Sequence, residues 1–214
     1  MHIHIPDGVL PIWLWVAGYL MTAIFLAIVL PKLKKEEKKF PLVGMASAIV
    51  LLITSIPLGL PVHLNLMVLI GLIVGPSWSL VVSFIVNLIL ASFGHGGLTI
   101  VGLNTIVFWT QALLGILLFK ILSKLIKNYF ASAGLATFIS LLFSFLLIVG
   151  IVFISTVDPG EFLHREGEMG HLEISLRTFI ILSSPLALLG SLMESIIIGF
   201  GVQYIKKVKS ELLA

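Results

Sequence analysis

Residues 64–92 read LNLMVLIGLIVGPSWSLVVSFIVNLILAS, and the fold turns on whether they cross a membrane once or twice. The run is longer than the roughly 20 residues that span a hydrocarbon core. Gly75-Pro76 interrupts it, and proline removes a backbone donor that a continuous helix needs. Two short segments, 64–74 and 77–92, paired as a helical hairpin, are therefore favoured over one kinked span. On either side lie five further apolar segments, 9–30, 41–58, 100–119, 131–155 and 178–203. The expected fold is an all-α membrane protein: one integral membrane domain over 1–214, a polytopic bundle of about seven transmembrane helices.

Composition excludes a soluble chain. Hydrophobic residues make up 59% and charged residues 11%, against about 45–50% and about 25% in ordinary globular proteins. The net charge of +3 implies no nucleic-acid partner, because lysine on loops accounts for it. The lysines form three clusters: Lys32, Lys34, Lys35, Lys38 and Lys39; Lys120, Lys124 and Lys127; Lys206, Lys207 and Lys209. Seven spans put all three on one side, which the positive-inside rule makes cytoplasmic. The N-terminus is then outside and the C-terminus cytoplasmic. A single crossing by 64–92 would send the later clusters to the opposite side.

There is no cysteine, so disulfides and thiolate metal sites are excluded. The start lacks a signal-peptide pattern, and His2 is too large to favour methionine removal, so Met1 is expected to stay on. No phosphate-binding Gly-rich loop with Lys-Ser/Thr occurs, so the chain is not expected to hydrolyse ATP.

On this map all six histidines fall on the side away from lysine. His2 and His4 lie at the N-terminus, His63 and His95 in two short connections, and His164 and His171 in an acidic loop, 157–177. Imidazole suits nickel, cobalt, copper and zinc, which points to an extracytoplasmic metal site. In Met1-His2 the amine, the His2 amide and the His2 imidazole can close two chelate rings in one plane. With one further donor they give a square-planar site of four nitrogens, favouring Ni(II) or Cu(II) over zinc. The alternative is a terminus whose histidines are simply solvated.

His4 is either a second ligand or a hydrogen-bond donor to a carbonyl. Pro6-Asp7-Gly8 is a turn signal that can fold residues 1–8 back over the bundle. His63, in LPVHLNL, is either an interfacial histidine or the fourth ligand. His95, in FGHGGLT, is a ligand, a group orienting one, or a turn residue. The acidic loop reads as solvated, with a weak cation-collecting surface as the alternative. Within the spans Asn87, Asn104, Gln111 and Glu194 stand out; Glu194, placed toward the inner half of the last helix, either supports transport or braces packing. Ala23 with Ala27, and Gly71 with Gly75, are small-residue pairs that permit close helix contact.

HIPDGVLP, VHLNL followed by GPSW, and FGHGGLTIVGLNT together resemble the CbiM/NikM family, the substrate-binding membrane subunits of energy-coupling-factor transporters for cobalt and nickel. The ESII stretch around Glu194 is similar to that family's last helix. The resemblance covers essentially the whole chain. It implies a multi-pass protein of a prokaryotic plasma membrane, a role in supplying cobalamin biosynthesis, and a transported Ni2+ or Co2+ ion with no cofactor. It implies ligation by the Met1 amine, the His2 amide and imidazole, and His63, with His4, His95, Asp7 and Asn104 as further ligands or supports, and Ala23, Ala27 and Glu194 in coupling. The implied partners are a transmembrane coupling subunit, two cytoplasmic ATPases and a small accessory membrane subunit. Two departures stand out. The family's Met-His-Ile start is lengthened here by two residues, so that His4 aligns with the family histidine, although the amine chelate favours His2. GLNT replaces Gly-Ala-Asn, keeping Asn104.

Three other readings are weaker. A membrane metalloenzyme needs a carboxylate base beside the histidines, and only Asp7 is near. A vitamin-binding subunit does not require sorted histidines, and a carrier acting alone should bury several ionisable groups rather than Glu194 nearly by itself.

Overall fold

Regular structure in this chain is helical. The computed structural model describes residues 7, 10–56, 63–156 and 176–213, and all that follows concerns these. They form seven α-helices: α1 (Ile12–Leu33), α2 (Phe40–Ser55), α3 (Met67–Val74), α4 (Pro76–Ser92), α5 (Val101–Ile126), α6 (Tyr129–Thr156) and α7 (Leu176–Val208). Four apolar helical stretches are long enough to cross a membrane: Ile12–Ser55, Leu98–Ile126, Tyr129–Ser155 and Phe179–Val208. The first contains α1 and α2, joined by a 3₁₀ segment, Lys34–Lys39, where Glu36 leaves helical backbone.

The 64–92 run is divided, but not where periodicity alone would start its first helix. Gly75 has φ 92°, a conformation that glycine adopts without strain. Pro76 then opens α4, at the position where its missing donor costs least. α3 and α4 pack against each other across this break. Residues 64–66, however, are not helical: α3 starts at Met67, after Leu66 at φ 52°, and has eight residues. That is about 12 Å of helix, well short of the roughly 30 Å core. His63–Leu66 enters the bundle as irregular backbone.

α5 is the hub, in contact with α1, α3, α4 and α6. Against α1 its first turns pack tightly. Thr22 donates to the Gly102 carbonyl at 2.9 Å, Tyr19 to the Leu98 carbonyl at 2.6 Å, and Phe25 meets Trp109 with ring centroids 4.8 Å apart. The paired residue numbers rise together, so the two helices run parallel. A β-carbon on Gly102 would stand 2.5 Å from the Tyr19 nitrogen and 2.6 Å from the Gly18 carbonyl carbon. Backbone cannot yield as a side chain can, so Gly102→Ala is expected to cost about 1–3 kcal/mol, read as a lowered unfolding temperature in detergent.

The exterior is as apolar as the core, with Leu20, Ile24, Ile28, Leu52, Leu146 and Phe200 among the exposed side chains. Many buried hydroxyls close onto their own helices, as in Ser83 to the Ser79 carbonyl and Thr137 to the Ala133 carbonyl. Lysine and histidine separate along the bundle. Glu36 accepts from Trp78 Nε1 at 3.1 Å, fixing the first lysine cluster beside the start of α4, whereas His95 follows its far end. Seventeen residues of α4 separate these points by about 25 Å. α5, parallel to α1, runs toward the same end, and Lys206 lies over the Tyr129 ring at 5.0 Å. The described lysines thus gather at one end; His63 and His95 sit at the other.

Candidate metal site

The histidine end is built by two interruptions of helix. After α4 the chain closes a Schellman cap: Gly94, at φ 77°, donates to the Ala91 carbonyl at 3.0 Å, and His95 donates its amide to the Leu90 carbonyl at 2.9 Å. Only glycine takes this left-handed position cheaply. The cap therefore fixes the direction in which His95 leaves the helix, while Gly96, at φ 91°, turns the chain onward.

The second interruption carries His63. Its backbone lies among apolar helices where water cannot satisfy it, so protein groups must. Three consecutive amides are captured by side chains. The Asn65 and Leu66 amides donate to Glu194 Oε2 and Oε1, at 3.3 and 3.0 Å. The Met67 amide donates to Asn65 Oδ1 at 3.0 Å. Asn65 and Gln111 exchange side-chain hydrogen bonds at 3.2 and 2.9 Å, and Thr54 donates to the Leu64 carbonyl at 3.3 Å. Asn65 and Gln111 are fully buried and Glu194 is 2% exposed.

These two devices bring His63 against His95, with ring centroids 4.8 Å apart and planes at 76°. His63 Nδ1 and His95 Nε2 are shielded from solvent. Burial first, and the neighbouring His95 second, lower the His63 pKa from its ordinary 6.5. The ring is thus neutral at pH 7, the form that ligates metals.

Asp7 joins the same end. Its Oδ1 accepts from the Thr99 amide and hydroxyl, each at 2.7 Å, and its Oδ2 from the Leu98 amide at 3.1 Å. These amides open the 3₁₀ turn Leu98–Ile100 that leads into α5, so the carboxylate acts as a cap supplied from outside the helix. The hydrogen bonds from Thr99, then Leu98, lower the Asp7 pKa from its ordinary 3.8. Gly97 leaves the room: a β-carbon there would lie 2.9 Å from both the Asp7 Cγ and the Asp7 nitrogen.

The sequence-derived candidates are therefore only partly gathered here. Met1, His2 and His4, and the rest of residues 1–8 apart from Asp7, lie outside the described residues, as do His164, His171 and 157–175 of the acidic loop; residues 176 and 177 belong to α7. Asn104 is buried in the first turn of α5. Ala23 and Ala27 are exposed on α1, whereas Gly71 faces Ala112 of α5. Asn87 is tied to its own helix through the Ser83 carbonyl. Glu194 meets the irregular entry to α3 from near the middle of α7. Asn65 and Thr99 escaped the sequence reading, although a lone asparagine two residues after His63 was a signal for the first. Among the described residues no three His, Asp or Glu side chains cluster as a metal cage.

Two crystal structures share this fold. One, of a transition metal transporter, has a TM-score of 0.78 at 19% identity and covers 97% of this chain and 94% of its own. The other, of a truncated transition metal transporter, has a TM-score of 0.76 at 18% identity and covers 96% and 99%. No curated protein sequence matches the chain. Residues 4–212 match the family described as CbiM, cobalt uptake substrate-specific transmembrane region. The chain belongs to the CbiM family and is a multi-pass membrane component of a metal uptake transporter.

Proposed function

We propose that the chain is the substrate-capture component of an energy-coupling-factor importer for Ni2+ or Co2+. It crosses the membrane seven times, N-terminus outside, with α3 and α4 as a hairpin and the lysine end in the cytoplasm. The Met1 amine, the His2 amide and imidazole, and His63 hold the ion; His4 is the alternative N-terminal imidazole, and His95, Asp7 and Asn104 support the site. A transmembrane coupling subunit and two ATPases then drive inward release, Ala23 and Ala27 offering a face for close helix approach and Glu194 linking the site to the last helix.

One observation carries this reading: Asp7 anchors the chain three and four residues beyond His95, whose ring rests on His63. Six residues precede Asp7 and reach at most about 20 Å, so this anchor keeps the chain's first donors within range of both rings.

The test is the absorption spectrum of the nickel-loaded, purified protein. Four nitrogens in a plane give a yellow, diamagnetic complex. A green, paramagnetic nickel complex would reject that ligand set.

A further inference from the structure

We propose that Glu194 is a positioning residue for metal binding, holding His63 in place through the Asn65 and Leu66 amides from a helix 129 residues away in sequence. This rests on the reading of His63 as a ligand.

The chemistry of the contact singles out a carboxylate. Two adjacent backbone N–H groups, one of them on left-handed Leu66, point at a single side chain, each meeting its own oxygen. Successive amides in such a turn form a concave nest for an anion. A carboxylate only accepts, so it satisfies both donors; an amide would turn its own N–H2 against one of them. A packing role alone would be served better by an apolar residue, since burying a carboxylate costs heavily unless hydrogen bonds answer it. Irregular backbone inside a membrane bundle supplies that need.

The contact also transmits position. His63 stands two residues before Asn65 on a strap pinned by three helices: Thr54 of α2 holds the Leu64 carbonyl, Gln111 of α5 holds the Asn65 side chain, and Glu194 of α7 holds the two amides. Of these pins Glu194 alone grips two consecutive peptide units. Releasing it frees the backbone that aims the imidazole, and a planar four-nitrogen site tolerates little misplacement.

Nickel(II) is titrated into the purified full chain and into Glu194→Gln, His63→Ala and Leu141→Ala. Leu141 is buried on α6, and the strap's three pins come from α2, α5 and α7. Glu194→Gln is expected to bind nickel about 10- to 100-fold more weakly, the range for loss of a group behind a metal ligand, with a displaced ligand-field band. Leu141→Ala should lose at least as much thermal stability and keep its affinity and band. Positioning is overturned if Glu194→Gln stays within about twofold of the parent, or if Leu141→Ala weakens binding equally. Should Glu194→Gln not purify folded, Gln111→Met releases the strap from α5 and is expected to weaken binding in the same direction; unchanged affinity there also overturns the proposal. If His63→Ala binds nickel like the parent, the metal-site reading itself falls, and positioning with it. Loss of nickel binding in His63→Ala beside an unaltered Glu194→Gln rejects positioning alone.

Discussion

Replacing His63 by alanine is expected to remove high-affinity nickel or cobalt binding from the purified protein. The loss should exceed about a hundredfold, the upper end of what removal of mere supporting groups causes, and should appear as a flat calorimetric titration. Three properties underlie this expectation for His63. Its ring is neutral near pH 7, because burial and the adjacent His95 lower its pKa. It is carried by backbone pinned from three helices, so its direction is set before the ion arrives. His95, although 4.8 Å away between ring centroids, is aimed by the cap of a different helix and cannot move into the vacated position without breaking that cap. His95→Ala should therefore be milder, about 10- to 100-fold. His2→Ala and acetylation of the α-amine should match His63→Ala. If all three leave the titration unchanged, the four-nitrogen site is rejected.

Much of the bundle was legible in the chain because lipid-facing and core-facing positions are both apolar, so every long helix announces itself as a hydrophobic run. The ends were less legible. α5 continues to Ile126, past Lys120 and Lys124, and α7 to Val208, past Lys206 and Lys207. Hydropathy stops at the first lysine, whereas backbone hydrogen bonding does not, and a lysine at a helix end carries its charge outward on an apolar stem. The start of α3 was misplaced for the opposite reason. Leu64 and Leu66 look helical, and nothing local marks them as irregular. What keeps them so is a carboxylate on α7 and an amide on α5, and contacts across such sequence separations leave no trace in local pattern.

The histidines were conspicuous by residue type and by their separation from lysine, so the end of the molecule that holds the candidate site could be named in advance. Its geometry could not. Gly94 suggested a turn, but the Schellman cap that aims His95 depends on φ 77° and on the Leu90 carbonyl. Asp7 was read as part of a turn and as a neighbour of the metal. Its three hydrogen bonds to Leu98 and Thr99 add a role the sequence did not show, that of an anchor.

That anchor underlies the second large effect. Asp7→Asn is expected to weaken nickel binding by about 10- to 100-fold, mainly through faster dissociation. The carboxylate accepts three hydrogen bonds and offers none. An asparagine amide would present N–H2 to at least one of the Leu98 and Thr99 donors. With the anchor lost, the six preceding residues search a larger volume, and the local concentration of their donors at His63 falls. Gly97→Val should act alike from the opposite wall, because its β-carbon would occupy the space of the Asp7 carboxylate. The pH dependence separates anchor from ligands. The folded Asp7 pKa is lowered, so its contribution is complete above the ordinary 3.8 and is lost only as pH falls through the still lower folded value. Any weakening of metal binding between pH 7 and pH 5 must then come from protonation of the nitrogen donors. The parent and Asp7→Asn are accordingly expected to weaken in parallel over that range, offset by a constant factor. Measured nickel dissociation rates decide it: Asp7→Asn rates equal to the parent's, or curves converging as pH falls from 7 to 5, would show that this carboxylate does not hold the chain's first residues to the site.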